Sequence, residues 1–277
     1  MDAAARSGLA AEMIHPDEVR ARTLVVGRMQ GSCAILSRSG AKLGRSGKRL
    51  LAAAEAKGAL TLPSLACLEG VENKLIAGAV LRAACLPTPA AMRVTAQTPA
   101  DWLGDRLGYP LVLKPALGSK GDFVLLCPSA DEFHACLARL SGQGPVMAQR
   151  YVRTSHGRDL RVIVVGGLAI GAMTRVAPDG QLCTNIHQGA RGFPAPLTGE
   201  IAELAAAAAA AFSLDIAGVD LLFDEDGMTV CEVNSAPGFE EFERVTGHDV
   251  AGAIIAHVRA RLAARSAAGS VPARVAS

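Results

Sequence analysis

Two carboxylates and one amide stand close together in the last third of the sequence. Asp220 lies in one short apolar segment, Glu232 and Asn234 lie in the next, and an acidic turn that ends in glycine separates the two segments. Side chains two residues apart point to the same face of a strand, so Glu232 and Asn234 share a face. A β-hairpin with a three-residue loop at 225–227 would place Asp220 directly opposite Glu232.

This arrangement predicts a cation site. Carboxylates that converge on one face of a sheet repel each other unless a cation joins them. Oxygen ligands of this number suit Mg²⁺ that is held together with the phosphates of a substrate. An acidic hairpin surface without a metal is the alternative, although the apolar neighbours of the three polar residues favour a formed sheet.

A lysine and a glycine-rich loop form a second group. Lys114 ends an apolar strand, and Gly118, Ser119, Lys120 and Gly121 follow it. Such a loop can hold phosphates through backbone N–H groups and ammonium charge. The spacing of a Walker P-loop is absent, and a plain connection between strands explains the loop as well.

The third group could contact a nucleoside. Gln149 ends a predicted strand, and Arg150 and Tyr151 follow it; the backbone there could meet an adenine edge, and Asp159 could accept a hydrogen bond from a ribose hydroxyl. An ion pair at the start of a strand explains Asp159 equally well.

Short β-branched segments alternate with Ala-rich helical segments, and this alternation is typical of an α/β protein. Strands are predicted at 24–26, 33–36, 111–114, 123–126, 146–149 and 161–165. Helices are predicted at 47–57, 73–84, 131–140, 200–214 and 250–262. The turn through Gly166 and Gly167 predicts a further hairpin.

Composition excludes several classes of protein. Half of the 277 residues are hydrophobic, which excludes disorder, and the net charge of +2 argues against a protein that coats nucleic acid. The longest apolar run, 204–212, is far shorter than the ~20 residues of a membrane span. The seven cysteines form no C-x-x-C pair, so we expect a cytoplasmic protein with reduced thiols.

Charge is unevenly distributed along the chain. Residues 215–249 contain ten acids and one base, whereas residues 38–49 contain five bases and no acid. The acidic region is where the predicted magnesium site lies, and bound metal would partly cancel its charge.

Read together, several motifs resemble the ATP-grasp superfamily and, within it, the RimK-like α-L-glutamate ligases. The motifs are Lys114, Gly118-Ser-Lys-Gly121, Asp159-Leu-Arg161, Asn185-Ile-His187, Gly218-Val-Asp220 and Glu232-Val-Asn-Ser-Ala-Pro-Gly238. The likeness extends from about residue 70 to 262. The resemblance implies an α/β chain with α+β lobes. It implies an ATP-grasp fold that follows a small N-terminal Rossmann-like (pre-ATP-grasp) domain in the sequence. The expected bounds are 1–86 for the N-terminal domain, 87–149 for the central lobe, 150–265 for the C-terminal lobe and 266–277 for a flexible tail.

The resemblance assigns roles position by position. Its magnesium ligands match Asp220, Glu232 and Asn234. The family's phosphate-contacting lysines match Lys74 and Lys114, and its mobile loop matches Gly118, Ser119, Lys120 and Gly121. The family's hinge between the lobes matches Gln149, Arg150 and Tyr151, and a further nucleotide contact matches Asp159. Its positions facing the reaction centre match Arg161, Arg175 and Asn185.

Three departures from the family pattern stand out. Cys183 occupies the position of a phosphate-contacting arginine, a charge that Arg191 could supply instead, and Arg150 stands where the hinge commonly has an acid. Family members open with a strand, whereas this chain begins in a helix-like stretch at 3–11. We expect either that the native start lies upstream or that the N-terminal sheet lacks its first strand.

The implied activity is the ATP-dependent joining of a carboxylate to an amine through an acyl phosphate. The implied cofactors are ATP and one or two Mg²⁺ ions, with Mn²⁺ as an alternative. The implied partners are small molecules, L-glutamate and an acceptor acid of the pterin or furan C1-carrier kind, with no nucleic acid and no membrane, in a homo-oligomer. A ribosomal or carrier protein as acceptor, and a non-catalytic nucleotide-binding relative, are the alternatives.

Overall fold

A computed structural model describes residues 1–15, 33–40, 43–118, 123–179, 181–186 and 189–269 of the chain. The helices are α1 (Asp2–Arg6), α2 (Arg45–Ala56), α3 (Leu65–Glu72), α4 (Lys74–Ala83), α5 (Ala100–Leu107), α6 (Phe133–Ala138), α7 (Gly199–Ala211), α8 (Glu240–Thr246) and α9 (Val250–Gly269). The strands are β1 (Ala34–Leu36), β2 (Leu60–Leu62), β3 (Ala91–Val94), β4 (Leu111–Pro115), β5 (Leu125–Cys127), β6 (Val146–Arg150), β7 (Arg158–Val165), β8 (Leu168–Val176), β9 (Arg191–Ala195), β10 (Ile216–Asp224) and β11 (Gly227–Asn234). The strand predicted at 24–26 lies outside the described residues.

The N-terminal region contains a β-α-β unit. Strands β1 and β2 pair in parallel, with α2 as the connection between them. Leu51 of α2 packs with Leu68 of α3 in a buried cluster. The Rossmann-like N-terminal domain and the domain bounds stay predictions, because the described strands of this region are β1 and β2 alone.

The central lobe is built on an antiparallel sheet. Its described strands follow the order β3-β6-β4-β5, and every neighbouring pair is antiparallel. Alternate residues of β4, Leu111 and Leu113, point into a buried core that α5 and α6 cover with Leu103 and Phe133. Lys114, near the end of β4, and Gln149, which pairs with Val112 of β4, lie on the other face of this sheet.

The C-terminal lobe has a second antiparallel sheet, in the order β11-β10-β7-β8-β9 for the described strands. The Ala-rich helix α7 packs on one face, where Val162 and Val219 are buried. Helix α9 covers part of the other face, where Ile163 and Ile216 are buried. The part of the sheet that carries these residues is covered on both faces, so β7 and β10 are continuously apolar there. Polar residues occur elsewhere along the two strands, at Arg161 and Asp220.

The α/β alternation is confirmed, and the antiparallel sheets give the α+β lobes that the family resemblance implied. The predicted helix at 131–140 is shorter, since α6 spans Phe133–Ala138. The hairpin through Gly166 and Gly167 is formed by β7 and β8. No helix among the described residues combines the length and the apolar composition that a membrane crossing needs.

The predicted three-residue loop of the second hairpin is wrong. Asp224 pairs with Gly227, so the β10–β11 turn has two residues, and Gly227 adopts a φ of 125°, which favours glycine. Cys231 then forms a bulge in β11, because Leu221 pairs with Val230 while the next pair joins Asp220 to Glu232. The shorter turn and the bulge offset each other, so the predicted pairing of Asp220 with Glu232 is confirmed.

Candidate active site

A cavity of about 490 Å³ is lined by residues from both large sheets and from the N-terminal region. It collects the described site residues that the sequence predicts, with the exception of Lys74, which lies at the edge of a small adjacent cavity. The lining residues of the predicted set are Lys114, Gly118, Gln149, Arg150, Tyr151, Asp159, Arg161, Arg175, Asn185, Asp220, Glu232 and Asn234. Ser119, Lys120 and Gly121 lie outside the described residues.

Asp220 is at the centre of the site. On β10 it faces Glu232 of β11 on one side and Arg161 of β7 on the other. Nε and Nη2 of Arg161 donate to Oδ1 and Oδ2 of Asp220, each at 2.8 Å. Nη2 of Arg175 lies 3.1 Å from Oδ2, and Nδ2 of Asn234 donates to the same oxygen at 3.2 Å. A carboxylate that is 6% exposed is thus fully hydrogen-bonded.

The neighbouring charges keep Asp220 ionised. Burial alone would raise the pKa of its carboxyl, but the guanidinium groups of Arg161 and Arg175 outweigh that effect and lower the pKa to about 2. Asp220 therefore carries a full negative charge at neutral pH, which the predicted magnesium site requires.

A second buried pair lies beside it. Nε and Nη2 of Arg175 donate to Oδ1 and Oδ2 of Asp159 at 2.8 and 2.6 Å, and Oγ1 of Thr184 donates to Oδ2 at 2.5 Å. Burial raises the pKa of Asp159, which Arg175 offsets in part, and the two carboxylates raise the pKa of Arg175 against the effect of its burial. Both Asp159 oxygens are engaged inside the protein, so the ion pair that the sequence left open is present, and a ribose contact stays a prediction.

Lys74 links the glycine loop to the acidic strand. It is the first residue of α4, and its Nζ donates to the carbonyl of Gly118 at 2.6 Å and lies 3.4 Å from Oε1 of Glu232. Lys114, which is buried at 8% exposure near the end of β4, lines the same cavity. Lys114 in the cavity wall and Lys74 beside it therefore place two ammonium groups near the start of the loop, which is a suitable charge for phosphates.

The hinge between the lobes carries its own ion pair. Arg150 ends β6 and donates from Nη1 to Oδ1 of Asp224 at 3.3 Å and from Nη2 to Oδ2. The hydrogen bond from Arg150 lowers the pKa of Asp224. Tyr151 Oη and His156 Nδ1 are 2.7 Å apart. The unusual charge of Arg150 is therefore compensated within the chain.

Two cysteines line the cavity. Cys183, at the position of the family arginine, and Cys231, the bulge residue, are both lining residues. Burial raises the pKa of Cys231 to about 11, so its thiol stays protonated and is a poor nucleophile. Arg191, the suggested replacement charge, begins the edge strand β9 and is not a lining residue, so that suggestion finds no support.

Sequence reasoning missed one wall of the cavity. Residues 38–40, just after β1, and residues 235–238, just after β11, pack against each other and line it. The available signal was the run of five bases at 38–49, which begins with Arg38. Their contact joins parts of the chain about 200 residues apart, which no local pattern reveals.

The donor chemistry of the site fits magnesium. Asp220, Glu232 and Asn234 bring two carboxylates and an amide from two adjacent strands to one cavity, and both oxygens of Asp220 accept hydrogen bonds from Arg161 in this structure. Among the described residues, no three side chains of His, Cys, Asp or Glu converge closely enough to hold a metal on their own. Two carboxylates and an amide suit an ion whose remaining ligands are phosphate oxygens, which is how Mg²⁺ is commonly bound.

Comparison with solved structures identifies the fold as that of ATP-grasp proteins. The D-cycloserine synthetase DcsG is 22% identical, with a TM-score of 0.70 over 94% of this chain and 92% of that chain. The ATP-grasp ligase PsnB, complexed with a phosphomimetic variant of its minimal precursor, Mg and ADP, is 24% identical, with a TM-score of 0.60 over 77% of this chain and 66% of that chain.

Residues 71–258 match the family described as the RimK-like ATP-grasp domain, and the chain belongs to that family. Beta-citrylglutamate synthase B of Danio rerio is 38% identical over 57% of this chain and 40% of its own length. Probable alpha-L-glutamate ligase 1 of Shewanella amazonensis is 40% identical over 54% of this chain and 50% of its own length. The chain therefore spans half or less of the length of these curated relatives.

Proposed function

We propose that this chain is an ATP-dependent carboxylate–amine ligase that forms an amide bond through an acyl phosphate. The observation that carries the proposal is the convergence of Asp220, Glu232 and Asn234 on a cavity that Lys114 also lines, with Lys74 in contact with Glu232. Oxygen ligands for a divalent cation next to two lysines form a site for a nucleoside triphosphate.

In the proposed complex, Asp220, Glu232 and Asn234 hold one or two Mg²⁺ ions. Bound Mg²⁺ would neutralise charge on the β- and γ-phosphates of ATP. Lys74 and Lys114 would contact the phosphates, with the loop that begins at Gly118 closing over them. The PsnB complex contains Mg and ADP, and this supports the same class of ligand for the fold.

The chemistry proceeds in two steps. A carboxylate oxygen of the acceptor acid attacks the γ-phosphorus, ADP departs, and the acyl phosphate forms. The amine then attacks the acyl carbon, loses a proton, and displaces inorganic phosphate. Lys114 and Arg161 would stabilise the anionic intermediates, because both are cations fixed at the cavity wall. No covalent nucleophile is needed, which agrees with the protonated thiol of Cys231.

L-Glutamate is the proposed amine, and a small acid is the proposed acceptor. Both curated relatives described above carry glutamate in their names, and one is named for beta-citrylglutamate. A pterin or furan C1-carrier acid as acceptor stays a prediction, as do the homo-oligomer and the cytoplasmic location. A ribosomal or carrier protein as acceptor remains the alternative within the same chemistry.

The test is ADP release by the purified full chain with Mg²⁺, ATP, L-glutamate and a panel of small acids that includes citrate. We expect ADP release that requires both glutamate and one acid, with amide product detected by mass spectrometry. Absence of ADP release with every acid, while Mg²⁺-dependent ATP binding persists, would favour the non-catalytic nucleotide-binding alternative, for which Cys183 is the specific observation.

A further inference from the structure

The cavity wall contains an arginine that the proposed mechanism does not use. Arg150, Arg161 and Arg175 each form an ion pair with a carboxylate of the site. Arg38 and Arg158 also line the cavity, and among the described residues no carboxylate pairs with either; Arg158 belongs to β7, whereas Arg38 lies in the N-terminal region. Its position lies outside the region that matches the family, 71–258, so the family match assigns it no role.

Two contacts fix the orientation of the Arg38 guanidinium. Its Nη2 donates to the carbonyl oxygen of Pro237, and its Cζ lies 4.8 Å from the centroid of the Phe239 ring. Arginine has five N–H donors in a planar fork, and the Pro237 contact uses one of them. The fork is thus held in place while most of its donors remain available to a ligand, which is the arrangement that binds a carboxylate with two hydrogen bonds.

Arg38 keeps its charge next to the reaction centre. It is exposed at the cavity wall, and although burial of part of the group lowers the pKa of its guanidinium, an arginine stays protonated at neutral pH. Pro237, its partner, follows the proposed ligand Asn234 by three residues. A Cβ placed on Gly218 would lie 2.6 Å from Cβ of Pro237 and 3.7 Å from Nε of Arg161. Arg38 is therefore connected through Pro237 and Gly218 to the Arg161–Asp220 pair.

The predicted nucleotide hinge lies on a different element. Gln149 and Arg150 belong to β6 of the central sheet, whereas both contacts of Arg38 come from the segment that follows β11 in the other lobe. This separation favours a substrate of the ligation, rather than the base of the nucleotide, as the ligand of Arg38.

We infer that Arg38 is a specificity-determining residue that binds a carboxylate of a small-molecule substrate. The inference rests on the proposed function and deepens it, since it makes a di- or polycarboxylic acid the preferred substrate class. The carboxylate can belong to L-glutamate or to the acceptor acid, because both carry a carboxylate that does not react.

The experiment is calorimetric titration of L-glutamate and, separately, of citrate into the full chain in the presence of Mg²⁺ and ADP. The variants are Arg38→Gln, which removes the charge, and Arg38→Lys, which keeps the charge without the fork. Arg49→Gln is the matched control, because Arg49 is an exposed arginine of the same basic run that does not line the cavity.

We expect at least one acid to bind the wild type, and its Kd to rise about 10- to 100-fold in Arg38→Gln, as for a lost charge-assisted hydrogen bond. The Kd of Arg38→Lys for that acid should lie between those of the wild type and Arg38→Gln, and the Kd of Arg49→Gln should match that of the wild type. The acid whose Kd changes identifies the source of the carboxylate. The Kd of Mg·ADP should stay within about twofold of the wild type in all variants.

Equal Kd values in the wild type and Arg38→Gln, or binding of neither acid to the wild type, would overturn the inference. If Arg38→Gln lacks a cooperative thermal transition, Arg38→Lys carries the comparison. If the wild type turns over ATP but the Kd of each acid is the same in Arg38→Gln, the carboxylate subsite at Arg38 is refuted and the proposed function is not. A wild type that binds acid through Arg38 without ATP turnover would refute the proposed function alone.

Discussion

Asp220 and Glu232 lie directly opposite each other on antiparallel strands, although the turn between their strands has two residues and the pairing requires a bulge at Cys231. Their environments differ. Asp220 is buried and bonded to two arginines, whereas Glu232 is half-buried and lies 3.4 Å from Lys74. One carboxylate is therefore fixed by the protein, and the other has oxygen atoms that remain open to the cavity.

Removing the negative charge at this pair should remove turnover. Glu232→Gln is expected to lower kcat/KM by about 100-fold or more, because the amide is a weak ligand for a divalent cation, and the double variant with Asp220→Asn should be inactive. The measurement is ADP release at saturating Mg²⁺. Glu225→Gln, an exposed acid in the turn of the same hairpin, should leave the rate unchanged. An active double variant would contradict the metal assignment.

Arg175 should contribute strongly to stability. It is buried at 6% exposure and shared by Asp159 and Asp220, so Arg175→Met leaves two buried carboxylates without their common partner. We expect a loss of about 3–5 kcal/mol in the free energy of unfolding from denaturant titration. In the Arg175→Met background, Asp159→Asn should lower the free energy of unfolding by less than it does in the wild type.

The matched control for Arg175→Met is Arg139→Met, because Arg139 is exposed. This variant should leave the denaturation midpoint near that of the wild type. A small effect at Arg175, comparable to that at Arg139, would mean that the ion-pair network does not form.

Stability should depend on pH through Asp220. Its pKa is about 2 in the folded chain and near 3.8 in the unfolded chain, so its stabilisation is complete above pH 3.8 and is lost as the pH falls toward 2. The total amounts to about 2 kcal/mol. Urea titrations at pH 6, 4 and 3 should show a steeper loss of stability for the wild type than for Asp220→Asn. Parallel pH profiles would rule out the lowered pKa.

The hinge pair should tolerate an exchange of charges. Arg150→Asp places two acids together at the cavity rim and should raise the KM for ATP several-fold, whereas adding Asp224→Arg should restore it in large part. The free energy of unfolding should change by less than about 1 kcal/mol, because the Arg150 side chain is 39% exposed. A double variant no better than Arg150→Asp would show that the hinge needs the arginine itself.

Local patterns in the sequence were enough to place the elements and half of the site. The period of two along a strand puts Glu232 and Asn234 on one face wherever the hairpin lies, and an apolar run that ends in Lys114 predicts a strand with a lysine at its end. Helix α4 begins at Lys74 as its pattern predicts. These features depend on neighbours a few residues apart, so the chain specifies them without its tertiary structure.

Only the tertiary structure decided which charges meet. Arg161 pairs with Asp220 across 59 positions, and Arg38 reaches Pro237 across 199 positions. Such contacts depend on the order of the strands in the sheet and on the packing of the N-terminal region against the segment after β11. Both are set by burial of apolar surface over the whole chain rather than by the residues that meet. For that reason the sequence by itself predicted the proposed metal ligands, whereas the buried partners of Asp220 and the position of Arg38 at the cavity wall emerged from the fold.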